Sequence, residues 1–254
     1  MTLEPVPDEP AAVATLDEGR ALVIADYHAG YEAGLRYERG VEIPSRADER
    51  RERLLSLLER TRVDRLVVLG DLMHSIGEPG GAERGELEVL FESLPPALSV
   101  TLVKGNHDGA IETWLEGVEI VPGSGVALDG LGVCHGHTWP AREVLEADVV
   151  CLGHEHPFVR LEDEVGGSHV EPVWVRGRLD PEPFAERTSD EGLPWLEDGA
   201  PPRLVVVPAF NDLVGGTWVN VPGQEFLAPF LPEGLAEGEA YLLDGTRLGP
   251  YRSI

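Results

Sequence analysis

The chain has almost no lysine and a large excess of negative charge. Lys104 is its only lysine, and 20 basic residues stand against 46 acidic ones, which gives a formal net charge of −26 over 254 residues. The basic patch that nucleic-acid-binding proteins normally carry is not visible in the sequence. The arginine-rich stretch 46–65 is interleaved with acidic residues, which favours an amphipathic helix with a solvated charged face over a DNA-contact helix.

Cysteine is scarce, and long apolar runs are absent. Cys134 and Cys151 lie in short apolar runs and are expected to be small buried side chains without a disulfide. No apolar run approaches the ~18 residues of a membrane helix, so we expect no membrane partner. The first ten residues are acidic and rich in proline, unlike a signal peptide, which predicts a cytoplasmic protein.

The acid excess also indicates the solvent in which the protein works. Such a charge repels itself and destabilises the compact state at ordinary ionic strength. In molar salt the Debye length falls to about 3 Å and the repulsion is screened. The composition therefore predicts a halophilic origin, whereas hyperthermophile enrichment in lysine does not fit a chain with a single lysine.

A dinucleotide-binding sheet is excluded, because no Gly-x-Gly-x-x-Gly follows the first predicted strand. Five polar blocks are present instead, and each directly follows a short apolar run that predicts a buried parallel strand. The blocks are Asp26-Tyr27-His28, Gly70-Asp71, Gly105-Asn106-His107-Asp108, His135-Gly136-His137 and Gly153-His154-Glu155-His156.

The five blocks are expected to converge at one edge of one sheet, since ligands of open α/β sheets bind at the carboxyl ends of the strands. Six histidines, three aspartates and one asparagine would meet there. Carboxylate, amide and imidazole groups together are typical ligands of divalent transition metals. The pattern therefore predicts a metal site, and the number of donors favours two metals.

In this order, and each after a strand, the blocks resemble the calcineurin-like metallophosphoesterases over roughly residues 20–160. The resemblance implies an α/β fold, a four-layer αββα sandwich with a di-metal site at the C-terminal ends of the strands. We expect one domain over residues 1–254 with its core at about 20–160. Its expected cofactors are two divalent metal ions, Mn²⁺ first, with Fe, Zn, Co or Ni as alternatives.

The resemblance also assigns the ligands. The first metal would be held by Asp26, His28, Asp71 and His156, and the second by Asp71, Asn106, His135 and His154. His137 is an alternative to His135 as a ligand, or a residue that orients it.

Three further residues are candidates for catalysis. By the same resemblance, His107 contacts the phosphate and protonates the leaving group. Asp108 either orients that imidazole or caps a turn. His74 belongs to a Gly-Asp-Leu-Met-His stretch that resembles a block of the SbcD/Mre11 nucleases, in which this histidine lies near the substrate phosphate.

Two other stretches resemble an archaeal branch related to SbcD. They are 26–32 and 208–211 with Gly215-Gly216, and Asn211 would lie near the mouth of the site or in a plain tight turn. The expected activity is hydrolysis of a phosphodiester by a metal-bridging hydroxide, on DNA as a nuclease. The alternatives are a small-molecule phosphatase, a nucleotide phosphodiesterase, or a metal-binding scaffold without turnover.

The remaining chain predicts supporting elements. Residues 1–18 indicate a loose lead-in or an edge strand, and Ser45 is a candidate N-cap for a helix to about Arg60. Beyond residue 157, apolar runs predict antiparallel strands. The stretch 178–202 favours an acidic surface insertion, and Phe226–Leu231 is either a dimer patch or core.

Overall fold

A computed structural model describes residues 2–163, 165–185, 192–197 and 199–254. Two β-sheets pack face to face. The first sheet has six strands, in the order β1 (Thr2–Pro5), β2 (Ala12–Leu16), β3 (Gly19–Ile24), β4 (Arg65–Val68), β5 (Ser99–Val103) and β6 (Glu119–Val121). Strands β3 to β6 are parallel, which the apolar runs predict for β3, β4 and β5 but not for β6. Of the two alternatives for residues 1–18, the edge strand is confirmed for β1, whereas β2 is an inner strand that pairs on both sides.

Three helices cover the outer face of the first sheet. They are α1 (Tyr31–Arg39), α2 (Ala47–Thr61) and α3 (Gly81–Ser93). The prediction of Ser45 as N-cap is wrong by one residue, because the N-cap of α2 is Arg46, which makes no side-chain cap hydrogen bond. Ser45 precedes it, and its Oγ accepts the N–H of Ala47 at 3.3 Å. Leucines at 54, 57, 58, 87 and 90 pack on the sheet, because helical spacing places them on one face.

The second sheet is mixed. Its strands are β7 (Val126–Leu128), β8 (Leu131–Cys134), β9 (Val149–Leu152), β10 (Phe158–Glu162), β11 (Ser168–Leu179), β12 (Arg203–Val206), β13 (Leu235–Leu242) and β14 (Arg247–Pro250). The order is β14-β13-β11-β12-β9-β8-β7, with β10 paired to β11. Strand β12 was expected to be antiparallel throughout, but it runs parallel to β9.

The core consists of three apolar interfaces, one between the two sheets and one between each sheet and its helices. The molecule therefore has four layers. Valines and alanines of both sheets meet between them, around Cys151 and Trp174. The short helices α4 (Arg142–Leu145), α5 (Glu182–Ala185) and α6 (Pro194–Glu197) lie on the outer side of the second sheet. The αββα sandwich is confirmed. Both cysteines are buried free thiols, as predicted.

The stretch 178–202, predicted as a surface insertion, and the stretch 226–231, predicted as either a dimer patch or core, both contribute to the outer core. In the stretch 178–202, Phe184, Leu193 and Trp195 are buried, while 186–191 and 198 lie outside the described residues. In 226–231, Ala228 and Phe230 are buried, so this stretch is mostly core. No helix in the described ranges has the length and apolarity needed to cross a bilayer.

Candidate metal centre

The five polar blocks do converge, but they come from two sheets rather than from one. Loops after β3, β4 and β5 supply the blocks of the first sheet, and loops after β8 and β9 supply those of the second. The seven predicted ligands lie together where the strand ends of both sheets meet. Three groups have ligand atoms all within 4.8 Å of one another: Asp26-His28-His156, Asp71-His135-His154 and His28-His74-His107. The first two consist of predicted ligands, and the third joins His28 to the two histidines predicted to be catalytic.

Asp71 joins the first two groups. Its Oδ2 lies 3.7 Å from His28 Nε2, and its Oδ1 lies 3.5 Å from His135 Nε2. One carboxylate therefore presents one oxygen to each group. This is the arrangement that a bridging ligand of a two-metal site requires.

Backbone carbonyls orient two of the imidazoles. His135 Nδ1 lies 2.7 Å from the carbonyl of Leu69, and His156 Nδ1 lies 2.7 Å from the carbonyl of Gly215. A neutral imidazole that donates from Nδ1 keeps the lone pair of Nε2 free. Those Nε2 atoms are 3.1 Å from Asn106 Oδ1 and 3.3 Å from Asp26 Oδ1.

The donor set fits metal ions on the structure's own evidence. Both ring nitrogens of His28 and Nε2 of His156 are buried and have no hydrogen-bond partner among the described residues. A buried polar atom without a partner is destabilising, and a cation would supply the missing partner. In addition, Nε2 of His135 and Oδ1 of Asn106 are two acceptors facing each other, which a cation between them would stabilise.

The two carboxylates titrate in opposite directions. Burial raises the pKa of Asp26, but the neighbouring His156, His135 and His28 outweigh burial and hold it at about 2. Burial and the charge of Asp26 raise the pKa of Asp71 to about 8. Two carboxylates in one buried site resist being charged together, and a metal cation relieves that repulsion.

Burial keeps most of the imidazoles neutral, the form that ligates metals. It lowers the pKa of His135 to about 4 and, together with the neighbouring His135, that of His154 to about 3. It also lowers the pKa of His28 well below its usual range. His156 differs, because burial is outweighed by the charge of Asp26, and its pKa rises to about 9.

The backbone is in the left-handed region at the ligands. The φ angles are 55° at Asp26, 48° at His28, 47° at Asp71, 67° at His154 and 42° at His156. Residues other than glycine rarely adopt this conformation, and each such residue has a cost of order 1–3 kcal/mol. Strain of this kind concentrates at functional sites, where the surrounding structure holds it.

His107 and His74 form a pair beside Asp71. The ring nitrogen Nδ1 of His107 is hydrogen-bonded to the carbonyl of His74, and the two rings stack with centroids 5.6 Å apart. Nε2 of His107 lies 3.8 Å from Asp71 Oδ2. His107 is therefore oriented by a backbone carbonyl and not by the neighbouring carboxylate.

For Asp108, the structure favours the alternative in which the residue caps a turn over the one in which it orients His107. Its two oxygens accept the N–H groups of Met73 at 3.0 Å and Gly105 at 2.8 Å, and the residue is fully buried. These bonds tie the β4 loop to the β5 loop. Its assignment as the residue that orients His107 is corrected accordingly.

Two other candidates lie behind the ligands rather than among them. His137 has its ring 5.2 Å from that of His135, and the metal-ligand groups contain His135 and not His137. Asn211 is buried, not at the site mouth, and its Nδ2 donates to the carbonyls of Tyr27 at 3.2 Å and His28 at 3.3 Å. Asn211 therefore holds in place the loop that carries Asp26 and His28.

Glu155 is a supporting residue that the sequence analysis left without a role. Its buried carboxylate accepts the hydroxyl of Thr217 at 2.7 Å and the N–H groups of Leu227 and Ala228. Thr217 lies on the same loop as Gly215, whose carbonyl orients His156. Next to it, Gly216 packs so closely on the His156 carbonyl that a Cβ would overlap it. In the sequence, the signal for this supporting role was the position of Glu155 between His154 and His156, two predicted ligands.

A buried ion network supports the ligand loop of the first sheet. Arg50 of α2 donates to Glu32 of α1 at 2.7 Å and to Glu86 of α3 at 2.9 Å. Glu86 also accepts the N–H of Gly30 at 2.9 Å, directly after the first block. The three helices therefore fix the position of the loop that carries His28.

Comparison with known proteins agrees with this geometry. Residues 19–139 match the profile of the calcineurin-like phosphoesterase family. The chain is similar to the nuclease MPE of Pseudomonas putida, with 19% identity, a TM-score of 0.56, and 97% of this chain and 100% of that chain covered. It is also similar to Yfce, a phosphoesterase from E. coli, with 22% identity, 56% and 73% covered, and a TM-score of 0.36.

No curated protein matches the chain. The similarity to the Pseudomonas putida protein shows a shared fold over nearly the whole of both chains. The family match includes four of the five polar blocks, from Asp26 to His137. Over residues 19–139, slightly less than half of its length, the chain is therefore similar to the calcineurin-like phosphoesterases.

Proposed function

We propose that this protein is a di-metal phosphodiesterase. The observation that carries the proposal is the pair of donor groups Asp26-His28-His156 and Asp71-His135-His154, which Asp71 joins. Asn106 completes the second group through its Oδ1. Mixed carboxylate, amide and imidazole donors suit Mn²⁺, with Fe, Zn, Co or Ni as alternatives. When bound, two such cations neutralise phosphoryl oxygens and activate a water.

A side chain of the protein would protonate the leaving oxygen, and His107 is the candidate. His107 is 21% exposed at its side chain, so its Nε2 can reach a bound phosphate ester. Its Nδ1 is engaged by the carbonyl of His74, which leaves Nε2 as the atom that can hold and donate a proton to the leaving oxygen. His74 stacks on that ring and is the second candidate for contact with the phosphate.

The leading substrate is a phosphodiester of a nucleic acid. The similar Pseudomonas putida protein is a nuclease. His74 belongs to the stretch that resembles a block of the SbcD/Mre11 nucleases. The alternative is a small phosphate ester or a nucleotide, and the net charge of −26 favours it, because the acidic surface repels a long polyanion. The same charge supports a cytoplasmic protein of a halophile, with a haloarchaeon as the expected source.

The test is hydrolysis of bis-p-nitrophenyl phosphate against p-nitrophenyl phosphate with Mn²⁺ in molar KCl. We expect turnover of the diester, and a loss of roughly 100-fold or more in His107→Ala, the usual contribution of a general acid. His169→Ala is the matched control, since His169 is exposed and pairs only with Glu171 on its own strand. Single-stranded DNA and cyclic nucleotides then separate the two substrate classes.

Turnover of the monoester alone would replace the proposal by a phosphatase. Two bound metals with no turnover of any of these substrates would contradict it in favour of a metal-binding scaffold.

A further inference from the structure

A second cavity lies on the second sheet, and arginines line it. Its volume is about 850 Å³, and Arg176, Arg178, Arg203 and Arg252 are among its lining residues. Arg176 and Arg178 belong to β11, and Arg203 is the register partner of Arg178 on β12. The pairing of the two strands therefore places guanidinium groups side by side.

This cavity is separate from the metal centre. Arg203 is opposite Val149, the first residue of β9, and β12 runs parallel to β9. His154 follows Val149 by five residues. At about 3.3 Å per residue, the two sites are roughly 16 Å apart along the strand. The arginines lie at the starts of the parallel strands, and the metal ligands lie at their ends.

The arginines of the cavity form no ion pair with a carboxylate of the described residues, although the chain is rich in acid. Elsewhere, arginines such as Arg50, Arg53 and Arg247 have a carboxylate within 4 Å. Within the described ranges, the four cavity arginines have none. Arg178 donates to the carbonyl of Pro201 at 3.0 Å, and Arg252 to the hydroxyl of Tyr251 at 2.9 Å.

Arg176 is the clearest case. Its guanidinium lies 5.0 Å from the ring centroid of Tyr241, and its Nε is buried with no hydrogen-bond partner in the described chain. Burial lowers the pKa of this guanidinium, and the positive charge of Arg203 lowers it further. A buried donor next to a like charge is destabilising unless an acceptor joins them.

Two glutamates also line the cavity, but they do not neutralise it. Glu239 already accepts the hydroxyl of Tyr241 at 2.7 Å and Nε of Arg247 at 2.9 Å. Glu237 is exposed and has no ion pair among the described residues. Four guanidinium groups against one free carboxylate leave the cavity positively charged.

We propose that this cavity is a second, non-catalytic anion site that binds a phosphate-bearing small molecule of about nucleotide size. Guanidinium forks match the oxygens of phosphate, and several forks in one cavity suit more than one phosphate group. The volume lies within the usual range of about 300–1,000 Å³ for small-molecule sites. A compact anion would lie in a cavity whose arginines outnumber its glutamates, whereas a long nucleic acid would also meet the acidic surface outside it.

The first experiment measures binding of α,β-methylene ADP to the Mn²⁺-loaded protein by equilibrium dialysis. We expect two classes of site in the wild type. The double variant Arg178→Gln/Arg203→Gln should lose one class, with affinity reduced at least tenfold, and keep its turnover of bis-p-nitrophenyl phosphate. Arg160→Gln is the control, because Arg160 is exposed and paired with Glu162. Equal binding by wild type and double variant would overturn the proposal.

A second measurement needs no variant. Phenylglyoxal modifies accessible arginines, and peptide mass spectrometry locates the modified residue. We expect α,β-methylene ADP to protect Arg203 and Arg178 but not Arg160. Modification of all three at unchanged rates would overturn the proposal. Stronger protection by a single-stranded oligonucleotide than by the nucleotide would also overturn it, in favour of a polynucleotide site.

Discussion

The two sheets bring different chemistry to the metal centre. The loops of the first sheet carry Asp26, Asp71 and Asn106, so every oxygen ligand comes from that side. The loops of the second sheet carry only imidazoles, His135, His154 and His156. The negative charge of the site is therefore a property of one sheet. On the other sheet, burial keeps His135 and His154 neutral, whereas Asp26 raises the pKa of His156 to about 9.

The sheets also differ in how they hold their ligand loops. Helices of 9, 15 and 13 residues cover the first sheet, and their buried ion network supports its loop. The second sheet has short helices, and one buried carboxylate, Glu155, organises its loop. Substitutions on the first sheet should therefore change the charge of the site, and those on the second should change its geometry.

The largest effect should come from the bridging carboxylate of the first sheet. Asp71→Asn removes the negative charge that both donor groups share, so we expect metal content to fall from two ions to one or none. Activity should fall by about 10³-fold or more, because both metals take part in the reaction. Metal analysis and diester hydrolysis measure the two effects.

Asp8→Asn is the control, an exposed position with a similar left-handed φ of 64°. Two metals retained in Asp71→Asn would show that this carboxylate does not bridge.

On the second sheet, the two histidines of one block should behave differently. His135→Ala removes a ligand and should lower activity by more than about 100-fold. His137→Ala removes at most a residue that supports it, with an expected loss of about 10-fold. A larger loss of activity in His137→Ala than in His135→Ala would show that His137, and not His135, is the ligand.

The charge of the first sheet should make metal binding depend on pH. Burial and Asp26 raise the pKa of Asp71 to about 8, and Asp26 raises that of His156 to about 9. Both groups hold a proton below these values, and a metal must displace it. Affinity for Mn²⁺ should therefore rise with pH, by about tenfold per unit for each displaced proton, and then level off. Calorimetry between pH 6 and 9 in buffers of different ionisation enthalpy counts the released protons, and an affinity independent of pH would contradict the assignment.

Two buried glutamates allow a matched comparison of the loops. Glu83 accepts the N–H groups of Ser75 at 2.8 Å and Gly80 at 3.1 Å beside His74, and Glu155 has the same role beside His156. Glu83→Gln should reduce kcat by roughly tenfold with metal affinity kept, and Glu155→Gln should reduce metal affinity by a similar factor. Both variants must retain the wild-type circular dichroism spectrum, and the same change in both would show that the loops are not independent.

The smallest expected effect is that of salt on the thermal stability of the acidic protein. Screening by molar KCl should raise the midpoint of thermal unfolding, since the net charge is −26. Each kcal/mol gained corresponds to about 2–4 °C for a domain of this size. A midpoint that does not change from low to molar KCl would contradict a halophilic origin.

The sequence predicted the positions of the ligands better than the architecture around them. Short apolar runs followed by Asp or His identify strand ends, because strand and ligand are adjacent in the chain. That β3 to β5 and β8 to β9 belong to different sheets depends on pairing between distant segments, which no local pattern carries. For the same reason, the single edge strand considered for residues 1–18 did not predict that β2 is an inner strand, paired to both β1 and β3.

The supporting contacts could not be predicted, because they join residues far apart in the chain. Asn211 reaches the carbonyls of Tyr27 and His28 from 183 or more residues away. Leu69 and Gly215 act through their carbonyls, so their side chains gave no signal. The role of Asp108 depended on where its oxygens point, and the sequence left both alternatives open.

The left-handed backbone at five ligands has a consequence for how the protein can change over time. Glycine is comfortable at those φ angles, so replacing Asp26, His28, Asp71, His154 or His156 by glycine would relax the chain locally. A substitution by glycine at one of these positions would therefore lower the local backbone cost and remove the donor atom at the same time, so backbone stability and metal binding oppose each other there.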